Sequence, residues 1–272
     1  MREIPDITNI YSNFLNIKNE QNVEERYSDE SKKKYFHASS AGMCARKHWY
    51  MTTDEEKSNI ADEKSQRVMR LGTVIHEEIQ GSLQYLIDLK EKESNKEKEI
   101  SDNSLNSTNI KTYNKALLKH YNSIEKIHME KEIILEDYNV RGFYDVVFQM
   151  VSGEVYLFDI KSIGSYPYKL KFGRNPKEDD GNDHQAMQLG TYGIGVEREF
   201  GRLDGMFLYY YNKDTSMVKL KPIGMNYMTK AEIYWKQLNT RLKGGQPPIV
   251  DGISPAQKWE CNYCSFKDTC LN

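Results

Sequence analysis

Arg141-Gly142-Phe143-Tyr144-Asp145, and after a short turn Phe158-Asp159-Ile160-Lys161, decide how this 272-residue chain is read. Both lie in runs with strand patterning, over residues 140–150 and 154–161. Side chains two apart on a strand share a face, so Asp159 and Lys161 point one way. Tyr156, Phe158 and Ile160 then point the other way, toward a core. The intervening turn decides where Asp145 goes. A two-residue turn at Ser152-Gly153 would set Asp145 opposite Ile160, facing away. A three-residue loop, Val151-Ser152-Gly153, pairs Met150 with Glu154 and brings Asp145 opposite Asp159. Gly153 falls where such loops favour a left-handed residue, so a three-residue or other odd-length loop is expected. Two facing carboxylates repel unless a cation lies between them. Mg²⁺ or Mn²⁺ suits oxygen ligands and retains water. Lys161 beside it would hold or activate that water, and the cation would offset charge developing on a phosphate. The plainer alternative is an Asp/Lys cross-strand pair on a solvated sheet face.

Working outward, Val68, Leu71, Ile75, Ile79, Leu83 and Leu86 mark a long helix over residues 63–88. His76 lies beside its apolar stripe, and a neutral imidazole there is a candidate metal ligand. Downstream, a helix over 184–200 places Gln188 and Tyr192 on one face, four residues apart. They would reach the lysine or a substrate phosphate, or else form an ordinary polar edge.

The rest of the chain supplies the frame. A short amphipathic helix over residues 7–15 is followed by a polar connection over 19–34. Ser39 or Ser40 is a candidate cap for a helix carrying Cys44, Arg46, Lys47 and Trp49. Residues 90–111 contain hardly any apolar side chain and read as a mobile polar insertion, with a helix around 113–124 after it. Strands follow at 127–136, 140–150 and 154–161. A loop occupies 162–183, and strands at 206–211 and 217–222 lie beyond the 184–200 helix. A helix over 229–243 leads to the tail. The expected units are 1–36, 37–243 and 244–272, and the expected fold class is α/β, a mixed central sheet flanked by helices.

Lys plus Arg total 38 against 40 Asp plus Glu, a net charge of −2. That balance excludes a wholly basic nucleic-acid coat but not a local basic groove. Lys169, Lys171 and Arg174, with Tyr166 and Tyr168 in the same loop, are candidate DNA contacts, basic groups for phosphates and rings for unpaired bases. No apolar run approaches the roughly 18 residues of a membrane span. The first residues lack the features of a signal peptide, so a cytoplasmic protein is expected. Cys44 and the terminal Cys261-x2-Cys264-x5-Cys270 read as metal ligands in a reducing compartment. Their spacing fits either a Cys₄ zinc site or a 4Fe–4S cluster.

In this order, His76, Gly142-x-x-Asp145, Asp159-Ile160-Lys161 and Gln188-x3-Tyr192 resemble the PD-(D/E)XK nuclease superfamily, RecB-like branch. The cysteine set resembles its iron–sulfur subgroup, which includes the CRISPR-associated protein four (Cas-four) exonucleases, the AddB nuclease domain and related phage exonucleases. The resemblance implies a restriction-endonuclease-like core with metal ligation by His76, Asp145, Asp159 and the Ile160 carbonyl. It implies that Lys161 positions the water with support from Gln188 and Tyr192, and Glu132, on the preceding strand, matches a family acidic position. A 4Fe–4S cluster on Cys44, Cys261, Cys264 and Cys270 would join the two ends of the chain. The activity implied is single-strand DNA exonuclease, 5′-to-3′ more often than the reverse, in recombination, replication, repair or CRISPR spacer processing with protein partners. The rival is a non-catalytic, metal-stapled DNA-binding or scaffold subunit. The polar segment after Asp88 is longer than the family pattern needs.

Overall fold

The computed structural model describes residues 6–27, 35–59, 61–95, 108–176, 183–248 and 258–271. Alternating sequence builds one mixed sheet. After the two-residue β1 (Phe36–His37) come β2 (Ile124–Leu135), β3 (Val140–Met150), β4 (Val155–Ile163), β5 (Gly205–Asn212) and β6 (Val218–Ile223). The hydrogen-bonded order is β1-β3-β4-β5-β6, with β2 also pairing with β3. β2, β3 and β4 are antiparallel neighbours, whereas β4 and β5 run parallel. A parallel pair needs a crossover, supplied by α5 (Ser165–Phe172) and α6 (Asp183–Phe200). The helices α1 (Ile7–Tyr27), α2 (Ala45–Thr52), α3 (Glu63–Asn95) and α4 (Thr108–His120) lie around β1 and before β2 in the chain, and α7 (Asn226–Leu242), α8 (Lys258–Asn262) and α9 (Lys267–Leu271) close it.

α6 is apolar on nearly every side because it is enclosed, as such helices are. Leu189, Thr191, Ile194 and Val196 are all buried, and Trp235 of α7 donates its indole N–H to Thr191 Oγ1 at 2.9 Å. Gly190 lets the two helices touch. A Cβ there would lie 2.3 Å from the Tyr227 carbonyl oxygen, so any side chain would push α7 away.

The β3–β4 register is the one expected from the three-residue loop. Val146 pairs with Phe158 and Gln149 with Val155, and the Met150 N–H donates to the Glu154 carbonyl at 2.9 Å. Gly153 takes φ +94°. The inward face of β4, however, is not the one the sequence predicts. Val155 and Leu157 are buried on the Asp159 side, while Tyr156 and Phe158 are only half-buried, with Phe158 stacked on Phe207 at 4.9 Å. The acid-bearing face is therefore continuous with the core instead of open to water, because α6 covers it.

Other boundaries also move. α1 continues to Tyr27 through the expected connection, and α3 to Asn95 into the expected insertion, whose residues 96–107 lie outside the described ones. The following helix starts at Thr108 instead of near 113. The 162–183 loop contains α5. Ser39 and Ser40 belong to a 3₁₀ turn, and the N-cap of α2 is Cys44. Among the described residues, no helix is long and apolar enough to cross a membrane.

Candidate active site

The site forms where β3 and β4 separate. One step beyond the last paired residues, Asp145 and Asp159 face each other, and the strands no longer exchange backbone bonds there. Instead the Ile160 N–H donates to Asp145 Oδ2 at 2.6 Å. A carboxylate thus replaces the neighbouring strand as acceptor, which holds the two acids at the mouth of the split. α3 brings His76 across, its Nε2 2.9 Å from the same Asp145 oxygen. On the other side, Lys161 Nζ lies 2.8 Å from Asp159 Oδ2 and donates to Gln188 Oε1 at 3.0 Å. Gln188 in turn donates to Asp159 Oδ1 at 3.3 Å and to the Tyr192 hydroxyl at 3.1 Å. His76, Asp145, Asp159, Ile160, Lys161, Gln188 and Tyr192 therefore come together in one constellation.

Gly142 of the Gly-x-x-Asp motif has a packing reason. A Cβ there would sit 2.6 Å from Ala38 Cβ and 2.8 Å from Tyr192 Cε1, so only glycine lets Tyr192 lie against the strand.

One acid joins that the sequence reading passed over. Among the described residues, the set of three metal-ligating atoms lying within 4.8 Å of one another is His76, Glu130 and Asp145. Glu132, the acidic position singled out from the sequence, instead accepts a hydrogen bond from the Arg141 guanidinium on the sheet surface. Simple alternation puts residues 130 and 132 on one face. The backbone at Glu130 departs from that pattern with φ +48°, which no sequence signal announces.

The donor set, one imidazole nitrogen and several carboxylate oxygens, fits a hard divalent cation such as Mg²⁺ or Mn²⁺. The electrostatics agree. Burial pushes the Asp159 carboxyl up to about 7, the Asp145 charge adds to this, and Lys161 and His76 pull against it. Two buried acids this close call for positive charge. His76 is held above its usual range, mainly by its hydrogen bond to Asp145. Burial likewise raises the Tyr192 phenol, which stays protonated.

These shifts fix a pH dependence. A group whose folded value lies above its unfolded one, about 3.9 for aspartate, stabilises the fold while protonated. That contribution is complete below about 4 and is lost as pH rises through about 7. Asp159→Asn cannot ionise, so in metal-free protein it should melt like wild type near pH 4. At pH 8 it should melt several degrees higher. Thermal melts across this range check it, and parallel curves would contradict it.

The predicted DNA-binding loop divides. Tyr166 is 74% exposed, and Lys169 and Arg174 are also exposed. Lys171 and Tyr168, by contrast, are buried, with Lys171 Nζ over the Tyr210 ring at 5.0 Å. α5 turns these two side chains into the core, unlike those of Tyr166, Lys169 and Arg174.

The four cysteines line one cavity, together with Arg46, Lys47, Glu260 and Lys267. Several bonds tie the front of the chain to its tail there. The Cys44 N–H donates to Glu260 at 3.2 Å, Arg46 Nε donates to the Pro248 carbonyl at 2.7 Å, and Asn59 Nδ2 donates to the Cys264 carbonyl at 3.0 Å. Tyr234 of α7 donates to the Met43 carbonyl at 2.8 Å, steadying the turn before Cys44. Phe266 packs on Tyr50 at 5.3 Å. No three of the sulfurs lie within 4.8 Å of one another, whereas tetrahedral zinc sets its sulfurs about 3.8 Å apart. Burial raises the Cys44 and Cys264 thiols.

The profile of the PD-(D/E)XK nuclease superfamily matches residues 37–271, and the chain belongs to that superfamily. Among solved structures it is similar to SSO0001, at 17% identity and a TM-score of 0.51, covering 96% of both chains. It is also similar to a provisionally named exonuclease from Eubacterium rectale, at 16% identity and a TM-score of 0.48, covering 86% of this chain and 91% of that one. The alkaline exonuclease LHK-Exo of Laribacter hongkongensis shares 11% identity, with a TM-score of 0.37, over 78% of this chain and 89% of that one. The first of these likenesses supports the mixed α/β fold and nothing finer. No curated protein matches the sequence.

Proposed function

We propose that this chain is a divalent-metal-dependent deoxyribonuclease that hydrolyses phosphodiester bonds, working as an exonuclease on single-stranded ends. The observation that carries the reading is the opposition of Asp145 and Asp159 on adjacent strands, with His76 on one and Lys161 on the other. His76, Asp145, Asp159 and the Ile160 carbonyl would hold the cation. When bound, it supplies Lewis-acid stabilisation of the phosphate and lowers the pKa of an attacking water. The ammonium of Lys161, held between Asp159 and Gln188, positions that water. Gln188 and Tyr192 keep the lysine aimed. Direct attack needs no nucleophilic serine or cysteine. Exposed Lys169, Arg174 and Tyr166 would meet the backbone and bases of the incoming strand.

The family resemblance supports 5′-to-3′ polarity and a 4Fe–4S cluster on Cys44, Cys261, Cys264 and Cys270. Spacing in the sequence alone would favour zinc, the commoner structural metal, and it is the resemblance that favours the iron–sulfur cluster. A cytoplasmic role in DNA recombination, replication, repair or CRISPR spacer processing follows from the same resemblance.

The test is digestion of end-labelled single- and double-stranded DNA with each end blocked in turn. Wild type is expected to degrade single strands from a free 5′ end when Mg²⁺ or Mn²⁺ is present. Binding without degradation under any metal would return the non-catalytic scaffold reading.

A further inference from the structure

Glu130 holds a left-handed backbone, φ +48°, in the middle of β2. For a residue with a Cβ this conformation is strained. Such strain persists only where the surroundings impose it, and it clusters at functional sites. The flanking residues keep their pairing, Met129 with Val146 and Lys131 with Tyr144, so between them Glu130 drops out of the ladder, opposite Asp145. Its carboxylate reaches α3, where Oε1 stands 3.7 Å from His76 Nδ1 and accepts a hydrogen bond from Gln80. The other ring nitrogen, Nε2, faces Asp145. The imidazole is thus bracketed by two carboxylates, one at each nitrogen.

We infer that Glu130 is a positioning residue for the metal site, holding His76 with its proton on Nδ1 so that Nε2 is presented to the cation. This rests on the nuclease reading above. A carboxylate behind a ligating histidine fixes the tautomer and ring orientation and makes the ligand more basic, and losing it costs 10–100-fold in metal affinity. The left-handed kink is what swings a strand residue beneath the α3 helix. Glu132, committed to Arg141, does not do so.

The test is calorimetric titration of the full chain with Mn²⁺ alone. Glu130→Ala should weaken Mn²⁺ binding by about 10–100-fold. Glu130→Gln should fall between, since its carbonyl can accept a hydrogen bond from Nδ1–H but carries no charge. Glu130→Gly separates the role from a merely structural one. Glycine accepts the positive φ without strain, so its melting temperature should rise while its Mn²⁺ affinity falls. In a His76→Ala background, adding Glu130→Ala should cost nothing further, because Glu130 acts through His76. Affinities within twofold of wild type for the alanine and glycine variants, or an additive loss in the double variant, would overturn the assignment. A wild-type protein that binds no Mn²⁺ and cuts no DNA would overturn it together with the nuclease reading. Wild-type cleavage with an indifferent Glu130 would overturn the assignment alone.

Discussion

Asp159→Ala is expected to lower Mg²⁺- or Mn²⁺-dependent DNA hydrolysis by about a thousandfold or more. The residue is 1% exposed and sits between Lys161 and Gln188, so its loss would remove an oxygen from the proposed metal site and release the lysine at once. Metal stabilisation of a phosphoryl transition state is worth several kcal/mol, and each 1.36 kcal/mol is tenfold in rate. Lys161→Ala should be comparably damaging, because the ammonium would no longer stand beside the attacking water. Initial rates on labelled single-stranded DNA decide the matter. Activity of Asp159→Ala within tenfold of wild type would remove this residue from the chemistry.

The second large effect concerns the cysteines. Cys44→Ser should yield a colourless protein from anaerobic purification, where wild type is expected to be brown, and should lower stability by roughly 5 kcal/mol. The estimate comes from chain entropy, since bridging Cys44 to the tail closes a loop of more than two hundred residues. A loss of that size rivals a domain's whole net stability. Wild type that is colourless and contains stoichiometric zinc would favour the other metal. Unchanged melting after Cys44→Ser would show that the cysteines staple nothing.

Much of this arrangement was legible in the residues. Strand alternation located β2 to β6 to within a few positions. Gly153 set the β3–β4 register, because a left-handed turn position has few other occupants, and that register brings the two acids face to face. The four-residue spacing on the 184–200 helix put Gln188 and Tyr192 on one face, and the structure has Gln188 bonded to Lys161, Asp159 and Tyr192. What was not legible depended on tertiary packing. Which face of β4 is buried follows from α6 lying over Asp159, and alternation alone is symmetric between the two faces. Lys171 and Tyr168 look like a DNA-binding loop in sequence, yet α5 turns them inward. Glu130 was missed for a related reason. Period-two reasoning assumes extended backbone, and one left-handed residue breaks the parity.

The central claim is that His76, Asp145 and Asp159 converge on one divalent cation beside Lys161. Its most direct test is an anomalous-difference map from crystals grown with Mn²⁺. The account predicts a peak among His76 Nε2, the Asp145 and Asp159 carboxylates and the Ile160 carbonyl, lost in Asp159→Ala. A Mn²⁺-loaded crystal with no peak there, from protein that still degrades DNA, would contradict it.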